Sequence, residues 1–364
     1  MNPYEGFFSP NYFDLSSNSD FLVANLNVST IKVWRRKNFE NSVGFVEELT
    51  IASDVFQAKV ESIQMSDAGD MIVIGYRDSR IKIWTSQSPD ENRASNLLKV
   101  RGNRTTQNIE GFLNEEFQEL QTLSRNSDSV LSVDLCRAKK QFIVSGSNDG
   151  KVLLWKLNQD TKRFEFNSYL LELNDHVVYC VKISDIQKGS NHQYILAGGS
   201  NEKVYVWRSS QKQGSSDFGL IQKISSHKGC IYSLDISCNN SRDLKGPIIV
   251  SGSADKTIKV WKLQESDNPK FDIFQTIYSD YGYPFCVKIS SSNSMIVVGF
   301  EDKSLSIFSL VDRKKKYQLC QHEEAISSSF VWKIQMASDA KSFMLSSGDG
   351  EILIYKSTAD YFQL

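Results

Sequence analysis

Residues 247–261 read PIIVSGSADKTIKVW: two short apolar runs around a polar turn, closed by Trp261. The second half of this stretch recurs six times, as NVSTIKVW, RDSRIKIW, NDGKVLLW, SNEKVYVW, EDKSLSIF and GDGEILIY. The closing aromatics Trp34, Trp84, Trp155, Trp207, Trp261, Phe308 and Tyr355 lie 50, 71, 52, 54, 47 and 47 residues apart. A repeat of this length is one supersecondary unit copied in tandem, and stacking the copies is what buries their apolar faces. The question of function thereby moves from catalysis towards recognition surfaces.

Each unit reads as β. An apolar run precedes every turn: FLVAN, MIVIG, FIVSG, YILAG, PIIVSG, MIVVG and SFMLSSG. Six units carry Asp or Asn six positions before the aromatic, namely Asp78, Asp149, Asn201, Asp255, Asp302 and Asp349. Such side chains hydrogen-bond their own backbone in tight turns, so the two runs form a hairpin. Five units also carry Gly nine positions before the aromatic, as Gly75, Gly146, Gly198, Gly252 and Gly299, where close approach or positive φ is expected. Alternating segments upstream (VESIQMS, VLSVDLC, VYCVKIS, IYSLDIS, FCVKIS) supply an inner strand, and downstream runs such as FVEELTI, FNSYLLEL and FDIFQTI supply a fourth.

Four-stranded units with Ser-Gly-Ser-x-Asp turns before Ile-Lys-Val-Trp resemble the WD-repeat (WD40) family of β-propellers, over roughly Asn11 to Lys356. The resemblance implies an all-β fold: one seven-bladed propeller of four-stranded antiparallel blades over residues 1–364, its ring closed by a terminal segment, with the N-terminal one usual in the family. The motif is modified here. No unit has Asp after the aromatic, and the family's Gly-His dipeptide is absent. His227 alone stands at the family's histidine spacing, so only the fifth unit offers the buried hydrogen-bond tetrad, as His227, Ser251, Asp255 and Trp261. In the third unit Asn126 takes the histidine's place beside Ser145, Asp149 and Trp155.

With 42 basic and 43 acidic residues the chain is nearly neutral, which gives no general attraction to nucleic acid or anionic membranes. The run Arg313-Lys314-Lys315-Lys316 reads as a solvated strand edge. No stretch approaches the ~20 apolar residues of a membrane span, and MNPYEGFFSP lacks the pattern of a signal peptide. The six cysteines fall mostly on or beside inner strands without a Cys-x-x-Cys pair, as reduced, buried thiols of an intracellular protein would; the cytoplasm is the first expectation and the nucleus the second. The four histidines have no metal-ligand spacing, and neither a phosphate-binding Gly-x-x-x-x-Gly-Lys loop nor a Gly-x-Ser-x-Gly elbow is present. No cofactor, metal, catalytic residue or small-molecule substrate is expected.

Three surface features remain. The second residues of inner strands two to seven are Glu61, Leu131, Tyr179, Tyr232, Phe285 and Trp332. In the family this position lies near the mouth of the central channel, so Tyr179, Tyr232, Phe285 and Trp332 are expected to line half of it, with Glu61 across from them. Such an arc would stack on an inserted Arg or Lys, or hold an aromatic side chain of a peptide. Insertions form the second feature: a long polar one within Ser86–Arg125, then DIQKGSNHQ and CNNSRDLKG, all expected on the face opposite the mouth. The third is closure, for which Phe7 and Phe8 offer apolar material at the N-terminus and KSTADYFQL remains after Tyr355. These features suit a non-enzymatic scaffold with several protein partners in a multiprotein complex. A peptide-motif reader, and a permanent subunit of a large assembly such as a ribonucleoprotein or cilium, are the competing readings.

Overall fold

The computed structural model describes residues 12–16, 21–25, 30–39, 42–52, 58–86, 117–185, 192–210, 217–237, 244, 246–264, 266, 269–311, 315–337, 340–357 and 362–363. Among them are seven four-stranded antiparallel sheets, each built from strands consecutive in the chain. The inner strands are Phe13–Leu15, Val60–Met65, Val130–Leu135, Val178–Ile183, Ile231–Ser237, Pro284–Ile289 and Val331–Met336. The inner strand of blade 7 packs against that of blade 1, so the sheets form a closed seven-bladed propeller.

The repeated turn works by one device. Asp78, Asp149, Asn201, Asp255, Asp302 and Asp349 each accept the backbone N–H two residues on through a side-chain oxygen. The residue between them is left-handed in every case, with φ between 61° and 93° at Ser79, Gly150, Glu202, Lys256, Lys303 and Gly350. The five repeated glycines serve the other purpose open to them. A Cβ on Gly75, Gly146, Gly198, Gly252 or Gly299 would sit 2.3–3.0 Å from the first inner-strand residue of the next blade. They are close-approach glycines, and positive φ belongs to the turn.

The closing aromatics wedge each blade against the one before it. Trp155 packs with Val73 and Ile83 of blade 2, Trp207 with Val144 and Leu154 of blade 3, and Trp261 with Leu196 and Val206 of blade 4. The outer strands are coupled too. Gln121, Gln222, Gln275 and Gln321 each donate to the carbonyl and accept from the N–H of Phe164, Phe271, Tyr317 and Phe362, the aromatic at or near the start of the next outer strand, at 2.7–3.0 Å.

The last of these clamps shows how the final blade is completed. Its fourth strand is Phe362–Gln363, paired with Lys356–Ser357, so the C-terminal residues supply it. Closure by the N-terminal segment, the family's usual arrangement, does not supply these two residues; Phe7 and Phe8 lie outside the described residues. The thiols also differ in part from expectation: Cys136, Cys180 and Cys286 are buried, but Cys320 is exposed on the outer strand of blade 6. Cys238, Arg313 and Lys314 lie outside the described residues, while Lys315 and Lys316 are exposed. Among the described residues no helix is long and apolar enough to cross a membrane.

Candidate partner-binding site at the channel mouth

Because the inner strands begin on one face and surround one axis, equal positions in different repeats meet there. Tyr179 and Tyr232 have ring centroids 5.9 Å apart, Tyr232 and Phe285 5.0 Å, and Phe285 and Trp332 6.4 Å. The four form an unbroken, half-buried arc. Sequence comparison missed two members. Phe330, one residue before the last inner strand, packs edge-on against both Phe285 and Trp332. Tyr12, just before the first described strand, meets Trp332 at 5.9 Å and carries the arc into blade 1.

Glu61 lies beside Tyr12 at the end of the arc and is not free to meet an inserted cation. Its two carboxylate oxygens accept from the Tyr12 hydroxyl at 3.0 Å and from Arg77 Nε at 2.7 Å. The channel below has a volume of ≈ 140 Å³. At ~10–15 Å³ of such space per water, this admits a side chain but not a helix.

A second pattern appears below the aromatics, legible in the repeats yet missed in the reading of them. VLSVDL and IYSLDI alternate with VYCVKI and PFCVKI in blades 3 to 6. Ser132 and Ser233 accept the N–H of Val181 and Val287 in the next blade, each at 3.1 Å. Asp134 and Asp235 accept the N–H of Ile183 and Ile289 at 2.8 and 3.0 Å. The same carboxylates meet Lys182 at 3.8 Å and Lys288 at 3.1 Å. Asp14 repeats the arrangement, accepting from Met65 N–H at 2.7 Å and pairing with Arg137. Burial would raise the Asp14 carboxyl, but Arg137, Lys333 and the Met65 N–H together hold it below the usual carboxylate range.

The tetrad is assembled in blade 5. His227 Nδ1 lies 2.9 Å from Asp255 Oδ2, its Nε2 lies 2.7 Å from Ser251 Oγ, and Trp261 Nε1 donates to the same Oγ at 3.1 Å. A carboxylate only accepts, so Nδ1 carries the proton and Nε2 accepts from the serine hydroxyl. Burial lowers the His227 pKa, against the opposing pull of Asp255, and keeps the ring neutral. Ser251 is 0 % exposed, which places this Ser-His-Asp set inside the blade. In blade 3 Trp155 still donates to Ser145 at 3.2 Å, but the buried Asn126 side chain finds no partner among the described residues. An asparagine is too short to span where the imidazole does. His176 is exposed in the turn before its inner strand. No group of three His, Cys, Asp or Glu suited to a metal ion occurs among the described residues.

The three insertions join third to fourth strands in blade 2 and first to second strands in blades 4 and 5. In an up-and-down blade both connections leave from the face opposite the mouth. Residues 87–116, 186–191, 238–243 and 245 lie outside the described residues.

The family model "WD domain, G-beta repeat" matches residues 117–156 and 218–262. Among curated proteins, the chain is 23 % identical over 261 residues to a p21-activated protein kinase-interacting protein 1-like of Danio rerio, a match covering 62 % of this chain and 63 % of that one. It is 20 % identical over 224 residues to Protein HIR1 of Cryptococcus neoformans, covering 60 % and 22 % respectively. Each match therefore covers less than two thirds of the relative. A chain in the crystal structure of a mitotic checkpoint complex superimposes with a TM-score of 0.66 at 15 % identity, over 96 % of this chain and 87 % of that one.

Proposed function

We propose that this chain, a member of the WD-repeat β-propeller family, is a non-enzymatic scaffold that holds protein partners of an intracellular multiprotein complex at the mouth of its channel. The observation that carries this reading is the aromatic arc. Five blades contribute to a continuous row of rings, half-buried from Tyr179 to Trp332 and buried at Tyr12, above a channel of ≈ 140 Å³. Interface hot spots favour Trp and Tyr in such settings, because they offer large rigid areas at small entropic cost. The matches to an interacting protein and to a member of a checkpoint assembly agree with a scaffold in general terms. A non-enzymatic role is supported by the burial of His227 and Ser251 within one blade, where Asp255 and Trp261 complete their hydrogen bonds.

A permanent assembly subunit is the second reading, and one observation favours it. Leu220, Ile273 and Leu319 stand opposite the closing aromatics on three consecutive outer strands, 44 %, 48 % and 48 % exposed. Affinity purification from native cells with quantitative mass spectrometry separates the two. Mouth recognition predicts that Trp332→Ala loses a defined partner that Leu220→Ser/Ile273→Ser/Leu319→Ser retains, and the opposite pattern would move the site to the rim. Shortening residues 88–106 to a tight loop is the third arm. It should leave Tm unchanged, since each doubling of loop length costs only about 0.6 kcal/mol. Partner loss on that deletion would assign the insertion face a share in binding.

A further inference from the structure

Of the four cations around the channel axis, three are held in ion pairs and one is not. Asp14 is taken by Arg137, Asp134 by Lys182 and Asp235 by Lys288, and each aspartate also holds a backbone N–H of the next blade. Glu61, nearer the mouth, is occupied by Arg77 and Tyr12. Lys333 is the fourth cation and has no carboxylate within ion-pair distance among the described residues. It springs from the inner strand of blade 7, directly after Trp332, and its ammonium donates to the carbonyl of Ile63 on blade 2 at 2.9 Å. An unpaired cation thus lies across the channel immediately below an aromatic arc.

We propose that the channel receives an acidic residue of a partner peptide, whose side-chain carboxylate pairs with Lys333 while the neighbouring peptide residue packs on Trp332 and Phe285. The inference rests on the mouth being the binding site and names what it selects. A basic side chain is disfavoured because the carboxylate at the mouth and the three aspartates below it already hold cations, while Lys333 would repel another. A carboxylate instead supplies the missing counter-charge, and a charge-assisted hydrogen bond in a shielded site is among the stronger ones.

The same geometry predicts a pH signature. Burial pushes the Lys333 ammonium down to about 7; Asp14 opposes this, while Lys182, Arg137 and Lys288 reinforce it. A bound carboxylate favours the protonated amine, so affinity should fall as pH rises from about 6.5 to 8.5. The other charged groups that act on Lys333, namely Asp14, Lys182, Arg137 and Lys288, are held in the pairs above.

The test selects random nine-residue peptides displayed on phage against the intact chain. The expected consensus contains Asp or Glu beside an apolar or aromatic residue. Lys333→Met should weaken the selected peptide at least tenfold at pH 6.5, Lys333→Arg should retain binding and flatten its pH dependence, and Trp332→Ala should weaken every selected peptide. Should Lys333→Met fold poorly, replacing the peptide's acidic residue by its carboxamide must cause the same loss on the wild-type chain. A basic consensus, or binding indifferent to both changes, overturns the carboxylate inference and leaves the mouth reading standing. Peptides indifferent to Trp332→Ala, or no selected peptide at all, overturn the mouth reading and this inference with it.

Discussion

At His227 both ring nitrogens are engaged, and Trp261 completes the set from the third strand of the same blade while packing against the preceding one. Trp261 is 2 % exposed. Trp261→Ala therefore removes a large buried ring and one donor to Ser251, and should cost about 3–5 kcal/mol in a denaturant or thermal melt. The tetrad also gives acid lability a sign. The folded-state pKa of His227 lies below its ordinary 6.5, so its contribution is present above that value and is lost as pH falls through the lowered one. Asp255 is held at about 2 against 3.8, with burial outweighed by hydrogen bonds from Thr257, Lys228 and His227, and its contribution is lost only in stronger acid. The Tm difference between wild type and His227→Gln should shrink as pH is lowered from 7 to 5; a constant difference would show that the ring is not held neutral. Gly299→Ala tests the close-approach position. Its added methyl meets Val331 Cγ1 at 2.3 Å and should cost roughly 1–3 kcal/mol by overpacking. The aspartates of the turns were legible because an Asx turn is local chemistry. Asn126 was not, since whether its side chain spans the gap is a matter of reach in three dimensions.

Among the elements, the outer strands carry the least expected device. Each Gln clamp joins residues 41 to 49 positions apart and is invisible until the blades are adjacent. The Ser-x-Asp and Cys-x-Lys alternation of the inner strands, by contrast, stood in the aligned repeats, but its meaning required knowing that one blade's side chains meet the next blade's backbone. Closure depended on a two-residue strand, too short for any periodicity to register. Phe362 packs on Phe343 at 5.2 Å and is held by Gln321. Truncation after Ser357 should cost about 2 kcal/mol, the order of one buried aromatic side chain, and should leave Lys356–Ser357 as an unpaired edge. Thermal melts and size-exclusion chromatography report both effects. A truncated chain equally stable and equally monodisperse would show that another segment covers that edge.

Across the whole molecule, the ring converts a sequence repeat into a division of labour. Closing aromatics and close-approach glycines hold blade to blade, the aspartates and lysines of the inner strands stitch the channel wall, and the second inner-strand residues of blades 4 to 7 gather at the mouth. The mouth was readable in outline because four of its aromatics share one repeat position. Tyr12 and Phe330 escaped that reading, as neither occupies it. Glu61 was expected across the mouth from the aromatics, and its pairing with Arg77 and Tyr12 depends on neighbours from other segments. Binding at the mouth is measured through the affinity of a mouth-selected peptide or purified partner for wild type and Trp332→Ala, taken beside the Tm of each. Recognition at the mouth requires a loss of at least ~2 kcal/mol in binding, on the order of thirtyfold, with a proportionally smaller change in stability. Unchanged affinity, or a binding loss matched by an equal loss of folding free energy, would contradict it.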